Sequence, residues 1–557
     1  MAERKVVDIP LRGGLDLTST TAELFQQPGS ASLLRNYENG IYGGYRKVNG
    51  YEYAGMAMDV CFSIPSDTII RGMIEYANGL VIVWDGALWW SAISSASTTG
   101  FSRFDNNLVL PATCTGASVF VNVDPSNIKL LVYPDPTTDF GKLLIISDQY
   151  VWEIVVSDTG GGTYSFTYNT AQVPGVTGTL GGGEIYKERL VTWEGSQLYW
   201  SNRYEPAVFT GASAGVVDVR DTIVAVKSFR EKLYIFCEDS IHVLENIDGA
   251  PTLNPVTRNI GCVHRETVQE VGGDLVFLAT DGIRSLGATA RIGDIATNVL
   301  SSKITPIIDD ILEVANSGGY ISSFVLRRKN QYRLFFTDPT KDEKLQRGII
   351  GTVSSSEGGG LDFSWSEVEG IEVAAVASSV VKDDNTYVWD GTALANGTDV
   401  TWHVDLNGYF YLHDLGDQFW YWDEDTLQLL QYPIPCIYKS PEINFGSSSV
   451  RKTLHAMNIG VRPEDSTVLD IGVTFDSGSV DVHNPPVFQT DTIYIPAVIG
   501  EFIIGEGILG ASDEPYPRAL LEGGGYSCKF TISSENAQGP YSIDSLTIEY
   551  NSETKYR

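Results

Sequence analysis

Basic residues are scarce in this chain. Lys and Arg total 38 against 70 Asp and Glu, a formal net charge of −32. Such a surface repels phosphate, which excludes gripping DNA or an anionic membrane as the default role. Long apolar runs are missing too. No stretch of about 18 uncharged apolar residues exists, so no membrane-spanning helix is expected. The most apolar late stretch, Tyr494 to Gly510, is interrupted by Glu501 and Glu506. The opening Met-Ala-Glu-Arg-Lys-Val-Val-Asp-Ile-Pro has charges but no apolar core, so no secretory signal is expected. Cysteine is sparse and scattered: Cys61, Cys114, Cys237, Cys262, Cys436 and Cys528 form no CxxC pair, and the 6 histidines are dispersed. That pattern argues against a zinc site and reads as single buried thiols of a chain made in a reducing cytoplasm. Helical periodicity is rare. Its best instance is Ser302 to Ala315, with Ile304, Ile307, Ile308, Ile311, Leu312 and Val314 on one stripe.

What is present favours strands. The 557 residues are 43% hydrophobic and 11% aromatic, with 56 glycines, enough for several cores built of β-formers and turns. Apolar runs flank acidic turns again and again. Leu80–Trp84 precedes Asp85-Gly86, Leu143–Ile146 precedes Ser147-Asp148, and Leu190–Trp193 precedes Glu194-Gly195. Leu233–Phe236 precedes Glu238-Asp239, Leu275–Leu278 precedes Asp281-Gly282, Tyr332–Phe336 precedes Asp338-Pro339, and Tyr387–Trp389 precedes Asp390-Gly391. This is hairpin punctuation. The turn acids recur at intervals of 43 to 63 residues, about 51 on average, the period of propeller blades. One such blade cannot bury both faces alone; radial stacking buries them and leaves only short edges.

The expected architecture is therefore all-β: a β-propeller over residues 61–400, an extended arm over 1–60, and an antiparallel β-sandwich over 401–557. The last is read from the long alternating runs Leu454–Val461, Val468–Phe475, Ser527–Ser533 and Tyr541–Tyr550. The aromatic run Phe419-Trp-Tyr-Trp422 is expected to supply interface anchors.

Four patterns resemble chemistry and are set aside on physical grounds. Gly211-Ala-Ser213-Ala-Gly215 fits a nucleophile elbow, but a strand-like run and not a helix follows it. Gly505-Glu-Gly507-Ile-Leu-Gly510 fits a dinucleotide loop, but Asp513-Glu514-Pro515 blocks the helix and repels pyrophosphate. Cys262 and His264, two apart, would share one face on a strand, yet no third residue orients them. Asp423, Glu424 and Asp425 read as a solvated turn cluster. No catalytic, cofactor-binding or metal-ligating residue is assigned, and the chain is read as a non-enzyme without cofactor.

Leu198-Tyr-Trp-Ser-Asn202 with Pro206 and Phe209, Thr222–Val226, Lys232–Phe236, Ser240–Val243, Ile260-Gly-Cys262 and Leu275 through Gly282 follow one another in an order that resembles the tail nozzle (tail hub) proteins of short-tailed bacteriophages. Leu11-Arg-Gly-Gly14, Asn36, Gly43-Gly-Tyr-Arg-Lys47 and Gly50-Tyr51 are similar to that family's arm, and Tyr541 through Tyr550 to its closing strands. The resemblance implies a virion component: a homohexameric tube at the distal end of the tail. It would sit below the adaptor ring on the portal, carry fibre, spike or needle proteins, lack a membrane anchor and pass genomic DNA on ejection. The resemblance also implies a β-propeller with accessory β-domains, as the repeat spacing does independently. Six copies at −32 each would carry −192, and a lumen of that sign would keep DNA from sticking. The alternative is an extracellular propeller that binds or hydrolyses glycans.

Overall fold

The computed structural model describes residues 4–40, 43–57, 70, 72–77, 79–84, 87–92, 102–103, 128–160, 163–292, 299–338, 346–355, 361–380, 388–389, 392–393, 399–423, 428–464, 467–476, 489–495, 516–535 and 539–552. Strands take 57% of the chain and helices 8%, so the all-β expectation holds. Five four-stranded sheets are propeller blades. The first runs Gly72–Tyr76, Gly79–Trp84, Ala87–Ala92, Ser102–Arg103. The second runs Lys129–Tyr133, Lys142–Ser147, Tyr150–Gly160, Thr163–Gln172. The third is Gly183–Tyr186, Arg189–Glu194, Gln197–Trp200, Gly215–Asp218, and the fourth Ile223–Phe229, Lys232–Cys237, Ile241–Glu245, Thr252–Thr257. The closing blade is Ala375–Val380, Asp399–Val404, Tyr409–His413 and, from the other end of the chain, Tyr51–Ala57.

Two further sheets stand between the fourth and closing blades. One is three-stranded (Gln269–Val271, Asp274–Ala279, Gly282–Ser285). The other is the stretch Tyr320–Leu326, Gln331–Thr337, Arg347–Ser355, Leu361–Glu369 of a nine-stranded sheet. The first strand of each sheet touches the first strand of the next or the turn just before it, round to Ala375–Val380 against Gly72–Tyr76, so the ring closes.

The acidic hairpins of the sequence are the second and third strands of successive sheets. Glu194 pairs with Gln197 across such a turn, and Ser147 with Tyr150. Asp85-Gly86, Pro339 and Asp390-Gly391 lie outside the described residues. The strands flanking Asp390-Gly391, Val388–Trp389 and Thr392–Ala393, form a separate small hairpin and not part of a blade. The closing blade makes its own hairpin farther on, between Asp399–Val404 and Tyr409–His413.

A tyrosine joint ties neighbouring blades. The inner strands of the first three blades end on Tyr76, Tyr133 and Tyr186. Tyr76 donates to the Gly141 carbonyl at 3.0 Å, Tyr133 to that of Glu188 at 3.0 Å and Tyr186 to that of Glu231 at 2.8 Å. The acceptors at Glu188 and Glu231 sit in hairpin turns whose central residues all have left-handed backbone: Lys187 (φ 46°), Glu188 (φ 54°), Arg230 (φ 48°) and Glu231 (φ 62°). A side chain there costs roughly 1 kcal/mol per residue. Replacing Lys187-Glu188 by Asn-Gly, which accepts this backbone without strain, should raise thermal stability by about 1 kcal/mol; calorimetry of the double variant measures it.

The helix Thr305–Ser317 occupies the predicted stripe, with Ile307, Ile308, Ile311 and Val314 buried. It starts later than expected because Ser302–Ile304 winds as a tighter turn, and it stops at Gly318, whose φ is 75°. The predicted terminal strands are Lys452–Pro463, Thr467–Phe475, Cys528–Ser534 and Tyr541–Ser552. They divide between a seven-stranded sheet and the far half of the nine-stranded sheet, and both sheets feed one core with Met457, Ile471, Ile532 and Ile548.

The first 60 residues do not stand apart. Arg4–Pro10 pairs with Tyr541–Ser552, Leu33–Arg35 lies between Leu361–Glu369 and Cys436–Lys439, and Tyr51–Ala57 completes the closing blade. The expected boundary between residues 400 and 401 falls inside the strand Asp399–Val404. Charges pin the crossing. Fully buried Asp414 takes Lys329 Nζ at 2.8 Å and Arg333 Nη2 at 3.0 Å; buried Glu38, on the N-terminal segment, takes Lys329 at 2.9 Å, Arg333 at 3.0 Å and Arg46 at 3.0 Å. Burial alone would raise the Asp414 carboxyl, but Arg333, Lys329 and Arg328 around it hold it well below the usual carboxylate range. Removing one partner strands the others in a dry site. Asp414→Asn should cost about 3–5 kcal/mol, read as a shift in urea midpoint.

Candidate functional site: the axial channel

The first strands of all the ring sheets run along one axial channel. Its two lobes have volumes of about 400 and 480 Å3 and meet at Lys129, Arg265 and Glu266. Inner strands present edge backbone groups to this space, so the wall is polar by construction.

The plug is local in sequence on one side only. After Cys262 the chain turns through Arg265–Thr267, a single tight turn whose start is capped by the His264 ring accepting from the Glu266 amide at 3.4 Å. That turn aims Arg265 across the axis. Its Nη1 donates to the Gly181 carbonyl at 2.6 Å and its Nη2 to that of Ile128 at 3.0 Å, linking the turn to the strand entries of the second and third blades. Glu266 accepts from Arg265 Nε at 3.1 Å and from Lys129 Nζ at 3.2 and 3.3 Å. The Ser323 hydroxyl donates to the Glu266 carbonyl, and Gln269 donates to the Ser323 carbonyl at 2.9 Å. Four sheets thus meet on one turn.

The electrostatics follow. Burial would push the Glu266 carboxyl up, but Lys129, Arg265 and His264 beside it outweigh that and bring it down to about 2. It stays ionised at every ordinary pH and is a poor proton carrier, since general acid–base work needs a group that titrates near the working pH. Burial lowers the His264 imidazole, which is therefore neutral at pH 7. Lys129, Arg265 and Glu266 thus form a charged plug at the waist where the two lobes meet.

The set-aside motifs resolve individually. Ser213 lies in the loop between Trp200 and Gly215, donating to Asn202 Oδ1 at 3.1 Å and accepting from the Arg203 amide at 3.2 Å; it meets no histidine. Cys262 donates to the His264 carbonyl at 3.5 Å and not to its ring, and burial pushes its thiol up to about 12, so the pair is no nucleophile. Cys237, Cys436 and Cys528 are likewise free and buried. Cys61, Cys114, Glu424, Asp425 and Gly505 to Gly510 lie outside the described residues, and the side chain of Asp423 likewise. Among the described residues, no three His, Cys, Asp or Glu side chains gather as a metal cage.

One expectation is corrected. Phe419 is not an interface anchor: it is fully buried, stacked on Tyr51 with centroids 5.2 Å apart, because strand Gln418–Asp423 lies against the closing strand of the ring. The side chains of Tyr421 and Trp422 lie outside the described residues. Sequence reasoning missed the plug, since Lys129 and Arg265-Glu266 are joined only by ring closure; the run His264-Arg265-Glu266 inside a β-repeat was its one visible signal.

No known protein family matches the chain, and no curated protein matches it. Among solved structures it is similar to PorZ, a surface component of the type-IX secretion system of Porphyromonas gingivalis (13% identity, 64% of this chain and 38% of that one, TM-score 0.31). It is also similar to the Saccharomyces cerevisiae core factor (9%, 74% and 61%, TM-score 0.32) and the Chaetomium thermophilum Nup170 N-terminal domain in complex with Nup53 (10%, 72% and 65%, TM-score 0.38). The chain spans less than two thirds of each. The fold assignment rests on this chain's own sheet order.

Glu266→Gln would leave Lys129 and Arg265 facing each other across the axis. With the side chain one-third exposed to channel water, the loss should be about 1–2 kcal/mol at pH 7. The carboxyl titrates lower in the folded chain than in the unfolded one. Its contribution is therefore complete above about pH 4.5 and lost as pH falls towards 2, so wild type and variant should converge in denaturation midpoint in that acid window.

Proposed function

We propose that this chain is a structural component of a short-tailed bacteriophage tail, a non-enzyme that forms a homohexameric nozzle below the portal adaptor ring. In this reading it carries fibre, spike or needle proteins and lets genomic DNA pass on ejection. The supporting observation is the plugged axis. Arg265 and Glu266 bridge the axis between its two lobes and tie four sheets to one turn, which stiffens the wheel into a rigid brick. In this reading the conduit runs between copies and not through one.

The charge of −32 per copy supports the same reading. A DNA conduit works best with a wall that offers few Lys or Arg contacts, because each phosphate contact adds sequence-independent sticking energy. Cryo-electron microscopy of particles containing the chain tests the proposal. The expected result is six copies around a DNA-wide lumen lined mainly by Asp and Glu. A copy number other than six, or a location away from the tail, overturns it; a basic lumen overturns the repulsive-wall mechanism alone.

A further inference from the structure

Every open sheet invites strand addition at its edge, and proteins blunt such edges with charge, proline, shortness or a cover. This chain does so almost everywhere among the described residues. The outer strand of the first blade is the two residues Ser102–Arg103, that of the third is four residues ending on Asp218, and that of the fourth carries Pro255. The free strand Arg4–Pro10 holds Arg4, Lys5, Asp8 and Pro10. Strand Leu361–Glu369 is covered by Leu33–Arg35, and the closing strand Tyr51–Ala57 by Gln418–Asp423.

The second blade breaks the pattern. Its outer strand Thr163–Gln172 reads Thr-Tyr-Ser-Phe-Thr-Tyr-Asn-Thr-Ala-Gln: ten residues with no charge and no proline, in a chain that is 19% charged. It is paired throughout on its inner side, from Tyr150 opposite Gln172 to Gly160 opposite Thr163, and on its outer side pairs with no described strand. Thr167 lies opposite Val155 and Asn169 opposite Glu153, and both Thr167 and Asn169 are exposed. Ten residues extend about 34 Å, enough for a full ladder with another strand.

We propose that the outer edge of Thr163–Gln172 is a strand-addition interface occupied by a second copy of this chain. Charge selects the occupant. Strand addition brings two backbones to about 4.8 Å, and like charges facing one another at that spacing are destabilising. Copies of net charge −32 repel over most of their surfaces, and this uncharged edge is where two of them meet without that cost. A basic partner would instead be drawn to the acidic surfaces. Pairing one edge with the same edge of another copy is a two-fold contact, so it is separate from the head-to-tail contacts of the ring proposed above.

The test places charge on the edge of the full chain. Thr167→Lys with Asn169→Lys leaves the blade intact, because Asn169 lies opposite Glu153 and Lys there faces an acid. Asn254→Lys, on the proline-blunted edge of the fourth blade, is the control. Sedimentation velocity over a concentration series should show wild type and control self-associating alike and the double variant at least tenfold weaker, with unchanged melting. Hydrogen exchange over residues 163–172 should slow in the assembled wild type. If the double variant loses its fold, Thr167→Lys alone serves. Wild type and double variant assembling equally overturns this edge and leaves the ring reading standing. A wild-type chain that is monomeric at every concentration likewise overturns this edge, while the copy number in the particle decides the ring.

Discussion

A wheel of sheets has one seam, and the rest of this molecule depends on how that seam is shut. Here a strand from near the start of the chain, Tyr51–Ala57, lies beside Tyr409–His413 and completes the closing blade. The segment leading to it carries Glu38 and Arg46 into a buried charge cluster with Lys329, Arg333 and Asp414, centred on a carboxylate that water does not reach. Such a cluster gains little over an apolar core as raw stability, but it is unforgiving of misplacement, since any missing partner leaves a bare charge. It fixes the path of the N-terminal segment, and through that path the closing blade, the two sheets before it and the terminal sheets share one core, beside the separate cores of the first four blades.

The same logic explains what was legible from the residues alone. A hairpin is a local object: Leu190–Trp193, a turn at Glu194-Gly195 and Leu198–Trp200 declare themselves by alternation and turn chemistry. Of the seven such signals, six fall on sheets of the ring; the seventh, at Asp390-Gly391, falls on a separate hairpin. The joints are another matter. Tyr186 reaching Glu231 across 45 residues, Arg333 reaching Glu38 across 295 and Arg265 reaching Ile128 across 137 depend on closure. Nothing in the spacing of Arg265 and Glu266 distinguishes a channel plug from a solvated pair. The expectation that Phe419 faces a partner failed for the same reason: the strand that covers it, Tyr51–Ala57, comes from more than 360 positions away.

The chemistry of the channel turns the functional argument outward. A propeller with an open axis offers a pocket where loops converge, but this axis is spanned by a guanidinium bonded to two carbonyls and neutralised by a carboxylate held near pH 2. What remains available is the outside of the wheel: acidic hairpin turns, tyrosine-jointed blade corners and one uncharged edge. In the function proposed above, a strongly acidic, many-sheeted wheel would serve as part of a wall past which a polyanion moves.

The measurement closest to the central claim is native-state hydrogen exchange on the full chain. If the N-terminal strand is the keystone, Tyr51–Ala57, Tyr409–His413 and Gly72–Tyr76 should open together, with one common free energy and one common denaturant dependence. If Tyr51–Ala57 exchanges at far lower energy while Gly72–Tyr76 and the other inner strands stay protected, the ring does not need its seam shut by this strand, and the account is wrong.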